Sequence, residues 1–261
     1  PRAQPHSNPV GSSRVGCEVI ARLGCTLVLF AAQDPIVDLH AALDRSDGLA
    51  RRSAADELAS RPGVALERWI SAIQDLRPFP QGSLEEPGPH SVHVALHVLD
   101  SNEQTDIQIF VPQSLRDRKG PSPLLLAFHG TGGKGEEVEP MWRGIAERLG
   151  MIVLAPSEAG KNEGYAFSLR ERAAALAALR WARQSYSVDE NRVFATGISR
   201  GGHLAWDLAL RHPDLLAAIA PMIGGPRLVI GGGQNNLRYL DNILNLPIRD
   251  LQGSKDDPKL V

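Results

Sequence analysis

Downstream of residue 90 the chain alternates between short, unbroken apolar runs and longer stretches with apolar residues three and four apart. Leu124–Phe128 (LLLAF) and Met151–Ala155 (MIVLA) contain no polar residue, the pattern of a strand covered on both faces. Glu136–Leu149, Phe167–Ser185 and Arg200–Arg211 carry helical spacing; the first is stopped by Gly150 and the third by His212-Pro213. Arg192–Thr196 (RVFAT), Leu216–Pro221 and Pro247–Leu251 read as further strands. Ahead of these, Ser91–Leu99 and Thr105–Val111 alternate apolar with polar and predict an antiparallel pair, the second closed by Pro112. Strands and helices in this order predict an α/β fold, a mostly parallel sheet with helices on both faces.

The first third of the chain has a different period. Asp34-Pro35 is a helix start, followed by IVDLHAAL and a break at Gly48. A second short helix begins at Ser53 and stops at Pro62-Gly63. A third spans Val64–Leu76, with Leu66, Trp69, Ile70 and Ile73 on one face. The expected organisation is a leader or signal segment at 1–33, a helical region at 34–77, a Pro/Gly-rich linker at 78–90 and the α/β domain at 91–261. Within the leader, Val19–Ala32 is an apolar run preceded by Arg14 and interrupted by Arg22, with small residues at its end. That layout resembles a secretory signal, so a secreted or periplasmic location is expected, with a cytoplasmic one as the alternative. Its uninterrupted part, Leu23–Ala32, is too short to form a stable membrane span.

Composition narrows the chemistry. The 261 residues are 43% hydrophobic and 22% charged, with a formal net charge of −2. No Lys/Arg cluster marks a nucleic-acid footprint, so no nucleic-acid partner is expected. The two cysteines, Cys17 and Cys25, form no C-x-x-C pair, and neither lies in the α/β domain, which leaves it without a thiol nucleophile. His93 and His97 share one strand face but have no third ligand, so no metal and no cofactor are expected.

Three segments carry candidate chemistry. Gly197-Ile198-Ser199-Arg200-Gly201-Gly202 lies between the strand RVFAT and the helix RGGHLAWDLALR, where a G-x-S-x-G turn lifts a serine oxygen clear of the sheet. The flanking glycines let strand and helix approach closely, and the helix N-terminus favours developing negative charge. Ser199 is the candidate nucleophile. Upstream, Phe128-His129-Gly130-Thr131-Gly132-Gly133 follows a buried strand, where a loop can aim backbone N–H groups at an oxyanion. The expected donors are the N–H groups of Arg200 and Thr131, with Gly132 as the alternative to Thr131. Downstream, Ser254-Lys255-Asp256-Asp257 follows the last expected strand and offers an acid to orient a histidine, either Asp256 or Asp257.

Taken together, residues 123–257 resemble the α/β-hydrolase superfamily, in particular its phospholipase/carboxylesterase, dienelactone-hydrolase and polyhydroxybutyrate-depolymerase-like esterases. The matching pieces are LLLAFHGTGG, Val188-Asp189-Glu190-Asn191-Arg192-Val193, GISRGGHLAWDLALRHPDLLAAIAPMIGG and LQGSKDD. The resemblance implies a serine-dependent carboxylic ester hydrolase acting through an acyl-enzyme, on a small ester or on an ester borne by a polymer. It maps the acid best onto Asp256, with Asp257 as the alternative. It also implies a histidine after the acid, and none follows His212. His129 belongs to the oxyanion segment, His203 sits on the helix leading off the elbow, and His212 ends that helix. The hydrolase domain is therefore expected to be incomplete at its C-terminal end, stopping short of the catalytic histidine. Two alternatives stay open. One is a peptidase of the prolyl-oligopeptidase type, which shares the elbow; the other is a non-catalytic binding protein on a hydrolase scaffold.

Overall fold

The computed structural model describes residues 38–39, 41–42, 48–60, 64–75, 86–96, 103–118, 120–158, 165–227 and 235–256. The leader, Cys17, Cys25, Asp34-Pro35, His97 and Asp257 lie outside them. The chain divides into two compact units, one formed by Pro1–Asp44 with Ala55–Leu76 and the other by Arg45–Ala54 with Arg77–Val261. Helix α1 (Gly48–Ala59) begins at the glycine expected to break the chain. Glycine weakens a helix interior but is tolerated where a helix starts. Helix α2 (Leu66–Asp75) belongs to the first unit.

The larger unit is built on a six-stranded sheet. Its elements are β1 (Gly88–Ala95), β2 (Gln104–Val111), β3 (Ser122–Phe128), α3 (Gly135–Leu149), β4 (Ile152–Pro156), α4 (Leu169–Ser185), β5 (Val188–Ile198), α5 (Arg200–Arg211) and β6 (Ala218–Met222). The strand order is β1-β2-β4-β3-β5-β6. β1 and β2 pair antiparallel, as do β2 and β4, and the rest of the sheet is parallel. Every residue of β3 and β4 is buried, which is why both segments read as unbroken apolar runs. Alternate strand residues feed two cores. Leu124, Leu126, Ile152, Leu154 and Val193 meet the alanine face of α4 and the apolar face of α5. Leu125, Ala127, Val153 and Ala155 meet Val138 and Ala146 of α3.

The two edges of the sheet differ from expectation. β1 starts at Gly88, inside the stretch read as linker, because Gly88 and Pro89 register with Val111 and Phe110 of β2. β1 is an edge strand, where proline's missing N–H faces no partner. Pro247–Leu251 forms no regular strand; it runs along β6 through isolated parallel bridges, Ile219 to Ile248 and Met222 to Leu251.

The connectivity places a switch point. From β3 the chain moves to β4 on one side and then returns to β5 on the other, so its direction of winding reverses between β3 and β5. Ligands of open α/β sheets bind outside the carboxyl ends of strands at such a point. The segments that leave β3 and β5 there are His129–Gly133 and Ser199–Gly202.

Candidate active site

Ser199 is the pivot between β5 and α5, with φ 56° and ψ −114°. A non-glycine residue held there is strained, and the surrounding contacts hold it there. Its N–H donates to Met222 O (2.8 Å), and its carbonyl accepts the N–H of His203 (3.1 Å). The flanking glycines are required by close approach. A Cβ on Gly197 would sit 2.3 Å from Gly201 O, and one on Gly201 would sit 2.4 Å from Phe128 O. The Ser199 residue is exposed, at the N-terminus of a helix of 12 residues.

The loop after β3 faces this turn. A Cβ on Gly130 would lie 3.9 Å from Ser199 Cβ, so the two backbones are neighbours. Gly133 N–H donates to Gly130 O (3.1 Å), closing a turn with Thr131 and Gly132 at its centre. Gly132 takes φ 76°, the conformation that the third position of a type II turn requires. Thr131 and Gly132 are both exposed. Among the described residues, the backbone N–H groups of Thr131, Gly132 and Arg200 donate to no protein acceptor.

Arg200 departs from what its position suggests. A charged side chain at the variable elbow position reads as solvent-facing or pocket-facing, yet its side chain is 6% exposed. Its Nε donates to Glu158 Oε2 (2.7 Å), and its Cζ lies 5.1 Å from the Tyr165 ring centroid. The Glu158 side chain is 7% exposed. The Glu158 N–H in turn donates to His129 Nε2 (3.1 Å), so His129 carries its proton on Nδ1, which donates to Gly130 O (2.8 Å). One chain of hydrogen bonds thus links the elbow, the loop after β4 and the loop after β3. Sequence reading missed Glu158, which stands 42 residues before its partner.

The remaining histidines are engaged elsewhere. His203 is buried, with Nδ1 2.8 Å from Gly225 O and its ring 6.0 Å from that of Tyr165. Burial pushes its pKa below the ordinary value, the bond to Gly225 opposes that, and the Arg200 charge adds to the lowering. His212 is likewise held low, by burial first and the Arg172 charge second. His93 pairs with Asp106 on the exposed surface of β1 and β2. Among the described residues no histidine ring is bonded to Ser199 Oγ or to Asp256. The Asp256 carboxylate accepts the N–H of Gly253 within its own turn. The structure therefore brings together Ser199, Arg200, Thr131 and Gly132. No cluster of metal-ligating side chains is present among the described residues. An apolar cavity of about 390 Å³ lies beside α3, lined by Leu125, Trp142, Phe194 and Ile248 among others; Ser199 is not part of it. No helix among the described residues is long and apolar enough to cross a membrane.

No protein-family model matches the chain. A probable feruloyl esterase C of Aspergillus flavus is 31% identical over 139 residues, covering 50% of this chain and 50% of the relative. An acetylxylan esterase of Coprinopsis cinerea is 32% identical over 138 residues, 47% of this chain and 36% of the relative. The chain thus spans about half the length, or less, of these curated relatives. Among solved structures, a thermostable esterase superposes with a TM-score of 0.54 at 21% identity, covering 66% of this chain and 48% of that one. With the sheet order and the elbow, that likeness shows the α/β-hydrolase fold.

Proposed function

We propose that the protein is a carboxylic ester hydrolase in which Ser199 forms an acyl-enzyme. The observation that carries this is the strained serine (φ 56°) at the N-terminus of α5, beside a glycine turn with free N–H donors. Ser199 Oγ attacks the ester carbonyl and gives its proton to a base. The oxyanion is held by the N–H of Arg200 and that of Thr131, with Gly132 as the alternative donor. The tetrahedral adduct collapses, the alkoxide leaves with the proton from the base, and water repeats the sequence on the acyl-enzyme. The described histidines are engaged elsewhere, so the base is a histidine outside the described residues, oriented by Asp256. Asp257 is the alternative acid.

The names of the relatives, feruloyl esterase and acetylxylan esterase, support a substrate in which a small acyl group is esterified to a sugar polymer, or a simple ester of similar size. The apolar run at 19–32 supports export, which N-terminal sequencing of the protein from its native host tests. A second reading, a non-catalytic binding protein on the same scaffold, is favoured by one observation: no described histidine reaches Ser199. Turnover of p-nitrophenyl acetate and methyl ferulate by the full-length protein separates the two. The hydrolase turns over at least one ester, and Ser199→Ala lowers that rate by more than about 1,000-fold. Equal, background-level rates for both proteins would sink the hydrolase reading.

A further inference from the structure

Ser199 has a strained neighbour. Ile198 and Met222 are the last registered pair of β5 and β6, so Ser199 and Ile223 are the first residues past the carboxyl ends of two adjacent parallel strands. Ile223 has φ 55°, almost the value at Ser199. A β-branched residue in this region is a true outlier, since its branched side chain crowds the backbone. Both sides of the segment fix it there. Met222 O accepts the N–H of Ser199 (2.8 Å), Ile223 N–H donates to Leu251 O (2.8 Å), and a Cβ on Gly224 would meet Ser199 O at 2.7 Å. The strain is not repaid by burial, because Ile223 is 39% exposed. The glycine turn of Thr131 and Gly132 follows β3, on the other side of β5. The nucleophile therefore stands between the glycine turn after β3 and the segment after β6 that carries Ile223, at the carboxyl rim of the sheet.

We infer that Ile223 is a specificity-determining residue, forming the apolar wall against which one substituent of the ester carbonyl packs while the oxyanion faces the opposite loop. This deepens the hydrolase reading and rests on it. The ligand chemistry is an apolar group flanking the reacting carbonyl, on the acyl or on the alcohol side. Strained backbone is kept at sites where the presented side chain has work to do.

The test is a comparison of selectivity ratios in the full-length protein, Ile223→Asn and Ile223→Ala. Asparagine accepts positive φ better than a β-branched residue and removes the apolar wall. The acyl series is kcat/KM for p-nitrophenyl butyrate over p-nitrophenyl acetate. The alcohol series is 1-naphthyl acetate over ethyl acetate. In one of the two series the ratio falls about tenfold or more in both variants, as loss of a few apolar contacts predicts. The series that falls assigns the side. Ile223→Asn also raises Tm by about 2–4 °C through relief of the backbone. Ratios unchanged within about twofold in both series overturn the inference, whatever Tm does; lowered Tm with unchanged ratios makes Ile223 a packing residue. Failure of the hydrolase reading is distinct, because the wild-type protein itself would then show no turnover dependent on Ser199.

Discussion

Replacing Arg200 by Met removes one half of a buried ion pair. The Arg200 and Glu158 side chains are 6% and 7% exposed and bonded at 2.7 Å, so neither charge has water to fall back on. Removing one partner of a buried pair leaves the other uncompensated, at a cost of about 3–5 kcal/mol. The contact between the Arg200 guanidinium and the Tyr165 ring adds about 0.5–2 kcal/mol to the loss in each variant that lacks Arg200, and so cancels from the coupling. Glu158→Met leaves a buried guanidinium and costs a similar amount. The double variant Arg200→Met/Glu158→Met removes both charges, and an apolar replacement of a buried pair is often close to neutral. The three variants should therefore be strongly non-additive, with a coupling of about 2 kcal/mol or more. Guanidinium denaturation followed by circular dichroism, with a common m-value, measures this directly. The same series is expected to lower kcat, since the Glu158 N–H holds His129 and thereby Gly130. A displacement near 1 Å in the oxyanion loop costs up to about 100-fold. Single variants within about 1 kcal/mol of wild type, or a double variant equal to the sum of the singles, would refute the buried-pair reasoning.

Two further perturbations follow from the same geometry. Gly201→Ala places a methyl 2.4 Å from Phe128 O, so the elbow or the end of β3 must move; the expected result is a loss of about 1–3 kcal/mol in stability and about 100-fold in kcat, read by denaturation and ester turnover. His203 has a folded-state pKa below its ordinary value of 6.5, so the unfolded chain takes up its proton first as pH falls. Its contribution to stability is complete above that value and is lost as pH falls through the folded value, and His203→Gln should flatten the Tm profile on the acid side of pH 6.5.

Much of the fold was legible because the sequence carries two periods and changes between them abruptly. LLLAF and MIVLA read as buried strands because no polar atom interrupts them, and both are buried on each side. The elbow was legible because Gly197 and Gly201 stand where a strand meets a helix, and the distances explain why only glycine fits. Other features leave no local trace. The Arg200–Glu158 pair is one of them, because Glu158 lies 42 residues upstream and no spacing rule connects a residue after β4 to one after β5. Ile223 carries positive φ with no glycine to announce it. Pro89 sat inside a stretch read as linker because an edge strand tolerates what a central strand rejects. Asp256 follows the expected strand, but its carboxylate closes its own turn, which pattern reading does not resolve.

Covalent capture of Ser199 tests the central claim most directly. The full-length protein, shown to be folded, is treated with a fluorophosphonate, and the product is read by intact mass and then by peptide mapping. An activated serine beside free N–H donors gives a single phosphonyl adduct, located on Ser199 and absent from Ser199→Ala. A folded protein that gains no adduct, or gains one at another residue, would contradict it.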